Sequence, residues 1–135
     1  MRVVAVDLGS RRIGLAVGEV EARVATPRAA IRASGSLAKD AREIVGIARA
    51  EEAQRVVVGV PEGAVNSPSA RASRTLAQRI AELGWPVDLV DESLTTVEAL
   101  DAMAEAGLSA AERRRRVDSE AACRILDLYF DSHEP

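Results

Sequence analysis

Short apolar runs open the chain, and a helical period replaces them after residue 36. Residues 3–6 are a continuous apolar run, as in a strand buried on both faces. Residues 8–12 read as a turn, and residues 13–17 as a second strand close enough to pair antiparallel with the first. After a turn at 19–22, residues 23–31 make a weaker third strand. Pro27 lacks a ladder N–H and assigns that strand to a sheet edge. Past Ser34-Gly35-Ser36, the residues Leu37, Ala41, Ile44, Val45 and Ala48 fall on one helical stripe. Residues 56–60 form a fourth strand stopped by Pro61, and 62–68 a loop. A second helix follows with Ala72, Leu76, Ile80 and Leu83 on one face, ended by Gly84 and Pro86. Residues 87–91 are a fifth strand. Thr95-Thr96-Val97-Glu98 has capping-box spacing and opens a third helix to about residue 106. A polar, basic segment at 109–116 then precedes a last helix over 117–130.

The order is a three-strand meander followed by strand–helix alternation. It predicts an α/β fold with a mixed sheet covered by helices, the later strands running parallel through right-handed crossovers. A chain of 135 residues argues for one domain, residues 1–135, with room for a core that needs no disulfide. With aromatics at only 2%, that core must be aliphatic. No apolar run approaches the roughly 20 residues of a membrane span. The opening carries no signal-peptide pattern, so a cytoplasmic location without membrane contact is expected. The lone Cys123 excludes an internal disulfide and a cysteine zinc cluster, and reads as a small apolar residue on a buried helix face.

Three acids stand where apolar segments end: Asp7, the Asp91-Glu92 pair, and Asp118. On a strand, Asp7 continues the face of Val3 and Ala5 beside a glycine turn, where it either caps local amides or meets a ligand. Asp91 continues the Val87–Leu89 line and Glu92 the Asp88–Val90 line, and periodicity alone does not choose between them. Asp118, in the first turn of the expected last helix, precedes Ala122, Ile125 and Tyr129 at helical spacing. A helix dipole explains an acid there, but not its alignment with the buried stripe. Carboxylates beside buried surface are costly unless a cation meets them. Three together suit a hard divalent ion, Mg²⁺ or Mn²⁺. Two such ions can clamp both oxygens of a phosphodiester displacement. His133, the single histidine, sits in the tail and is a poor base.

The formal net charge of -3 does not suggest a nucleic-acid binder, but the basic residues cluster. Arg11 and Arg12 follow Asp7 closely. Arg113, Arg114, Arg115 and Arg116 end two residues before Asp118. Such a run is most often a solvated loop. Beside an acidic site it better suits phosphate, whose geometry the planar guanidinium matches. With one Trp, one Tyr and one Phe, recognition of backbone and shape is favoured over base stacking.

Four stretches, in order, carry a family resemblance. They are Asp7-Leu8-Gly9-Ser10-Arg11-Arg12-Ile13-Gly14-Leu15-Ala16-Val17, Val58-Gly59-Val60-Pro61, Asp91-Glu92-Ser93-Leu94-Thr95-Thr96-Val97-Glu98-Ala99, and Val117-Asp118-Ser119-Glu120-Ala121-Ala122-Cys123-Arg124-Ile125-Leu126. Together they resemble the YqgF family, also called RuvX-like Holliday junction resolvases, over nearly the whole chain. The resemblance implies a ribonuclease H-like fold with a five-stranded mixed sheet. It implies Asp7, Glu92 and Asp118 as catalytic, metal-binding carboxylates, and so selects Glu92 over Asp91. The implied role is a nuclease maturing the 5′ end of the 16S ribosomal RNA precursor, with structured RNA and ribosomal particles as partners. The alternatives are resolution of branched DNA and a non-catalytic RNA-binding role in ribosome assembly. The chain departs from the family at Ser93, where arginine is usual, and in the loop Glu62-Gly63-Ala64-Val65-Asn66-Ser67-Pro68.

Overall fold

The computed structural model describes residues 1–61, 67–92 and 110–132, the last segment with side chains from Ser119 onward. The helix expected over 95–106, Ser93 and residues 62–66 lie outside the described residues. Five strands form one sheet: β1 Arg2–Leu8, β2 Arg12–Glu19, β3 Val24–Arg32, β4 Arg55–Val60 and β5 Val87–Asp91. Their order is β3-β2-β1-β4-β5. β1 pairs antiparallel with β2, and β2 with β3, while β4 lies parallel to both β1 and β5. This is the expected meander with two added parallel strands. Pro27 sits on edge strand β3, as its missing N–H requires. Between the pairs Ile13–Ile31 and Leu15–Arg28, Ala29 and Ala30 form a bulge in that edge.

The sheet has a hydrophobic core on each face, the one beneath α3 including the aromatic Tyr129 and Phe130. Val4, Val6, Ile13, Leu15, Val56 and Val58 pack against α1, Leu37–Ala50, and α2, Pro68–Glu82. The opposite face carries Val3, Ala5, Ala16 and Val57 beneath α3, Ala110–Ser132, which contributes Ala122, Ile125, Leu126, Tyr129 and Phe130. A run of apolar residues in β1 therefore supplies two cores, because alternate side chains leave opposite faces. Ser36 caps α1 by accepting from Lys39 N, and Ser67 caps α2 by accepting from Ala70 N, so Pro68 is the first residue of a helix rather than the end of a loop.

Two helix readings change. The buried stripe of α2 runs through Ala70, Ser73, Leu76, Ala77 and Ile80. Leu83 is the C-cap and is 46% exposed, because the chain leaves the helix there. The last helix begins at Ala110, not at 117, and absorbs the basic segment. Alanine, glutamate and arginine are good helix formers, and no Gly or Pro interrupts them. This stretch is polar around its circumference, so it shows no apolar stripe. Asp118 is accordingly in the helix interior, two turns past its start, and favourable interaction with the helix N-terminus does not account for it. Among the described residues, no helix is long and apolar enough to cross a membrane.

Candidate active site

The parallel strands β1, β4 and β5 end together, and their ends on the α3 face hold two acids. Asp7 follows Val3 and Ala5 on that face and stands opposite Gly14 of β2, which presents no side chain. Glu92 follows Val90, which packs on the same core. Its N–H donates to Val60 O at 3.1 Å, carrying the β4–β5 ladder one residue past the strand. That extra bond keeps the alternation running, so Glu92 turns inward and is 9% exposed, while Asp91 is exposed. The geometry thus separates the two acids that periodicity left equal.

Strand β4 lies between β1 and β5, yet Asp7 and Glu92 share a side-chain hydrogen bond across it. Gly59 makes this possible. A Cβ at that position would lie 2.9 Å from both Cδ and Oε2 of Glu92 and 2.4 Å from Cδ1 of Ile125. The bare backbone leaves room for the Glu92 carboxyl to lean toward Asp7, with α3 closing over it. Gly9 has a comparable role in the β1–β2 turn. Its N–H donates to Arg12 O at 2.9 Å, and a Cβ there would meet that oxygen at 2.6 Å.

Burial and mutual repulsion govern the pair. Glu92 is pushed up to about 9, first by loss of water, then by the hydrogen bond to Asp7 and by the charges of Asp7 and Asp91. Asp7 is also raised, by burial, against the opposing effect of its bond to Glu92. Two carboxyls held together in a dry site share a proton unless a cation replaces it. Their oxygens are the donors a hard divalent ion prefers, so the residues present fit such an ion. Asp118 stands one turn before Ala122 and two before Ile125 in α3, and its side chain lies outside the described residues. The same holds for Arg113, Arg114, Arg115 and Arg116, whose backbone is in the first two turns of α3. Arg11 and Arg12 line a cleft beside the β1–β2 turn.

Two contributors were not singled out from sequence. Gly59 had a visible signal, a glycine interrupting an apolar strand, which marks close approach by another group. Arg32 had none, because its place in the same cleft depends on pairing between β2 and β3.

Residues 1–132 match the family model described as RuvX, Holliday junction resolvase. A protein of Anaeromyxobacter sp. strain K, named a candidate pre-16S rRNA nuclease, is 42% identical over 138 residues covering 100% of both chains. A relative of the same name from Acidiphilium cryptum is 40% identical over 134 residues, covering 96% of this chain and 84% of its own. Among solved structures, T. thermophilus RuvC in complex with a Holliday junction substrate superposes with a TM-score of 0.55 at 20% identity, covering 98% of this chain and 94% of that one. That likeness concerns the fold, and with the strand order above it makes the architecture ribonuclease H-like. By family model and by full-length relatives alike, the chain belongs to the RuvX family.

Proposed function

We propose that the protein is a divalent-metal-dependent nuclease that hydrolyses phosphodiester bonds in the 16S ribosomal RNA precursor, near its 5′ end. One observation carries the reading: in a RuvX-family chain, half-buried Asp7 and buried Glu92 are brought together and hydrogen-bonded on the α3 face of the sheet. The relatives' names supply the RNA substrate.

Asp7 and Glu92 are the residues to hold the ion, with Asp118 of α3 as the third ligand. A bound divalent ion supplies charge neutralisation and polarisation of the phosphoryl group. Asp7 emerges from a strand fixed on both sides by β2 and β4, so its position is set by two ladders. Glu92 is held by its backbone bond to Val60 and by the Gly59–Ile125 contact surface. Both carboxyls must lose their shared proton before accepting a cation. Activity should therefore rise with pH where that proton is displaced. Arginines beside the site hold the substrate backbone by charge.

The test is cleavage of a precursor RNA carrying the 5′ leader in Mg²⁺ or Mn²⁺. Wild type should cut, and Asp7→Asn and Glu92→Gln should lose at least about a hundredfold in rate, the order expected when charge stabilisation of the transition state is removed. Equal cleavage by the variants refutes the site. RNA binding without metal-dependent cleavage by wild type supports the assembly-module role instead. A second reading, resolution of branched DNA, rests on the description of the family model. Symmetric nicking of a four-way junction with no cleavage of the RNA favours it.

A further inference from the structure

A cleft of about 990 Å³ opens beside the acidic pair, between the bulged edge strand β3 and α3. Arg11, Arg12 and Arg32 line it, with Ala29 and Ala30 of the bulge and Ser119 and Glu120 of α3. Arg12 and Arg32 are direct partners across the β2–β3 ladder, so their side chains leave the same face. Gly14, two residues from Arg12 and opposite Asp7, places both arginines on the face that carries the acids. From strand spacing and rise, the Cα atoms of Arg12 and Asp7 are roughly 8 Å apart.

Like charges directly opposite one another on a sheet destabilise it. The fold places carboxylates against other arginines: Arg2 with Glu19, Arg55 with Asp88, Arg79 with Glu82 and, on the lining of the cleft itself, Arg28 with Glu51. Arg11, Arg12 and Arg32 make no such pair among the described residues. Nη1 of Arg12 is buried without a hydrogen-bond partner among the described residues, an arrangement that costs free energy unless an anion completes it. The β3 bulge shapes the opening, and the bond from Ser119 Oγ to Arg28 O at 2.5 Å ties the edge strand to α3 at its floor.

We propose that this cleft is a phosphate-binding groove that takes the sugar–phosphate backbone beside the cleaved bond, with Arg12 and Arg32 gripping phosphate oxygens. The proposal rests on the nuclease reading for its substrate and extends it to a defined path, from the acids of β1 and β5 across β2 to the sheet edge. Paired guanidinium groups recognise phosphate bidentately and carry no base preference, so the groove sets position rather than sequence.

Binding in chelator, with no turnover, tests the groove apart from catalysis. Anisotropy of a labelled stem–loop RNA and of a labelled four-way DNA junction is followed between 50 and 200 mM salt for wild type, Arg32→Ala, Arg12→Ala and the control Arg79→Ala. Arg32 is exposed, so its alanine variant leaves the core intact and is decisive. Each cleft variant should weaken binding and reduce the slope of log affinity against log salt by about 0.7–0.9, while the control should not. A drop with only one nucleic acid identifies the backbone the groove accepts. An unchanged slope for Arg32→Ala on both, or an equal drop for Arg79→Ala, overturns the proposal. Asp7-dependent cleavage with unchanged slopes removes the groove and leaves the nuclease. Reduced slopes in a protein without metal-dependent cleavage do the reverse.

Discussion

Replacing Gly59 by alanine tests whether the close approach in β4 organises the site. The added methyl carbon would stand 2.4 Å from Ile125 Cδ1 and 2.9 Å from the Glu92 carboxyl. Neither distance is sustainable, so side chains must move. Ile125 is fully buried and Glu92 nearly so, which restricts their alternative rotamers. Overpacking of this kind costs about 1–3 kcal/mol. For a chain of this length that is roughly 4 °C in melting temperature per kcal/mol. Ile125→Val removes Cδ1, the nearer obstacle, and by itself costs about 0.5–1.5 kcal/mol. Combined with Gly59→Ala it should restore much of the lost stability, giving a coupling energy of about 1 kcal/mol or more. It does nothing for the contact with Glu92, so cleavage activity should remain depressed in the restabilised double variant. Thermal and urea unfolding supply the stability cycle, and a single-turnover cleavage assay supplies the activity. Strictly additive stabilities, or full activity in Gly59→Ala, would falsify the account of Gly59 as the space that Glu92 needs.

Two further outcomes follow from groups already placed. Glu92 is raised from 4.5 to about 9, so at neutral pH the folded protein holds a proton that the unfolded chain has released. This contribution is fully present below about pH 4.5 and is lost as pH rises through about 9, at up to about 1.4 kcal/mol per unit. Without divalent metal, Glu92→Gln should therefore gain up to about 3 kcal/mol on wild type between pH 5.5 and 7.5, and parallel pH–stability curves contradict this. Tyr129 is buried under the sheet with its hydroxyl donating to Asp88 Oδ2 at 2.7 Å, and Arg55 lies 3.4 Å from the same carboxylate oxygen. Tyr129→Phe should cost about 1–3 kcal/mol in urea unfolding because a bond to a charged acceptor is lost, and a loss below about 0.5 kcal/mol means that the bond contributes little.

The sequence by itself determined the elements and the kind of core. Short continuous apolar runs and helical stripes located five strands and the helices α1 and α2, because those patterns reflect which sides of an element leave water. Pro27 disclosed a sheet edge for a local reason, a missing N–H. The residues also contained the acids, but local pattern could not choose between Asp91 and Glu92, since adjacent strand positions differ only in which face meets a neighbour. Resemblance to a family pointed to Glu92, and only the tertiary structure decides which of the two acids turns inward: the β4–β5 ladder continues one residue further, and Gly59 clears the way to Asp7. The start of α3 was hidden because a helix polar on all sides leaves no periodic trace. The cleft was hidden for a different reason. Arg12 and Arg32 are twenty residues apart in the chain, and only strand pairing and a bulge make them neighbours beside the acids. Burial patterns are written residue by residue along the chain, whereas a site assembled from the ends of separate strands exists only once those strands have found their register.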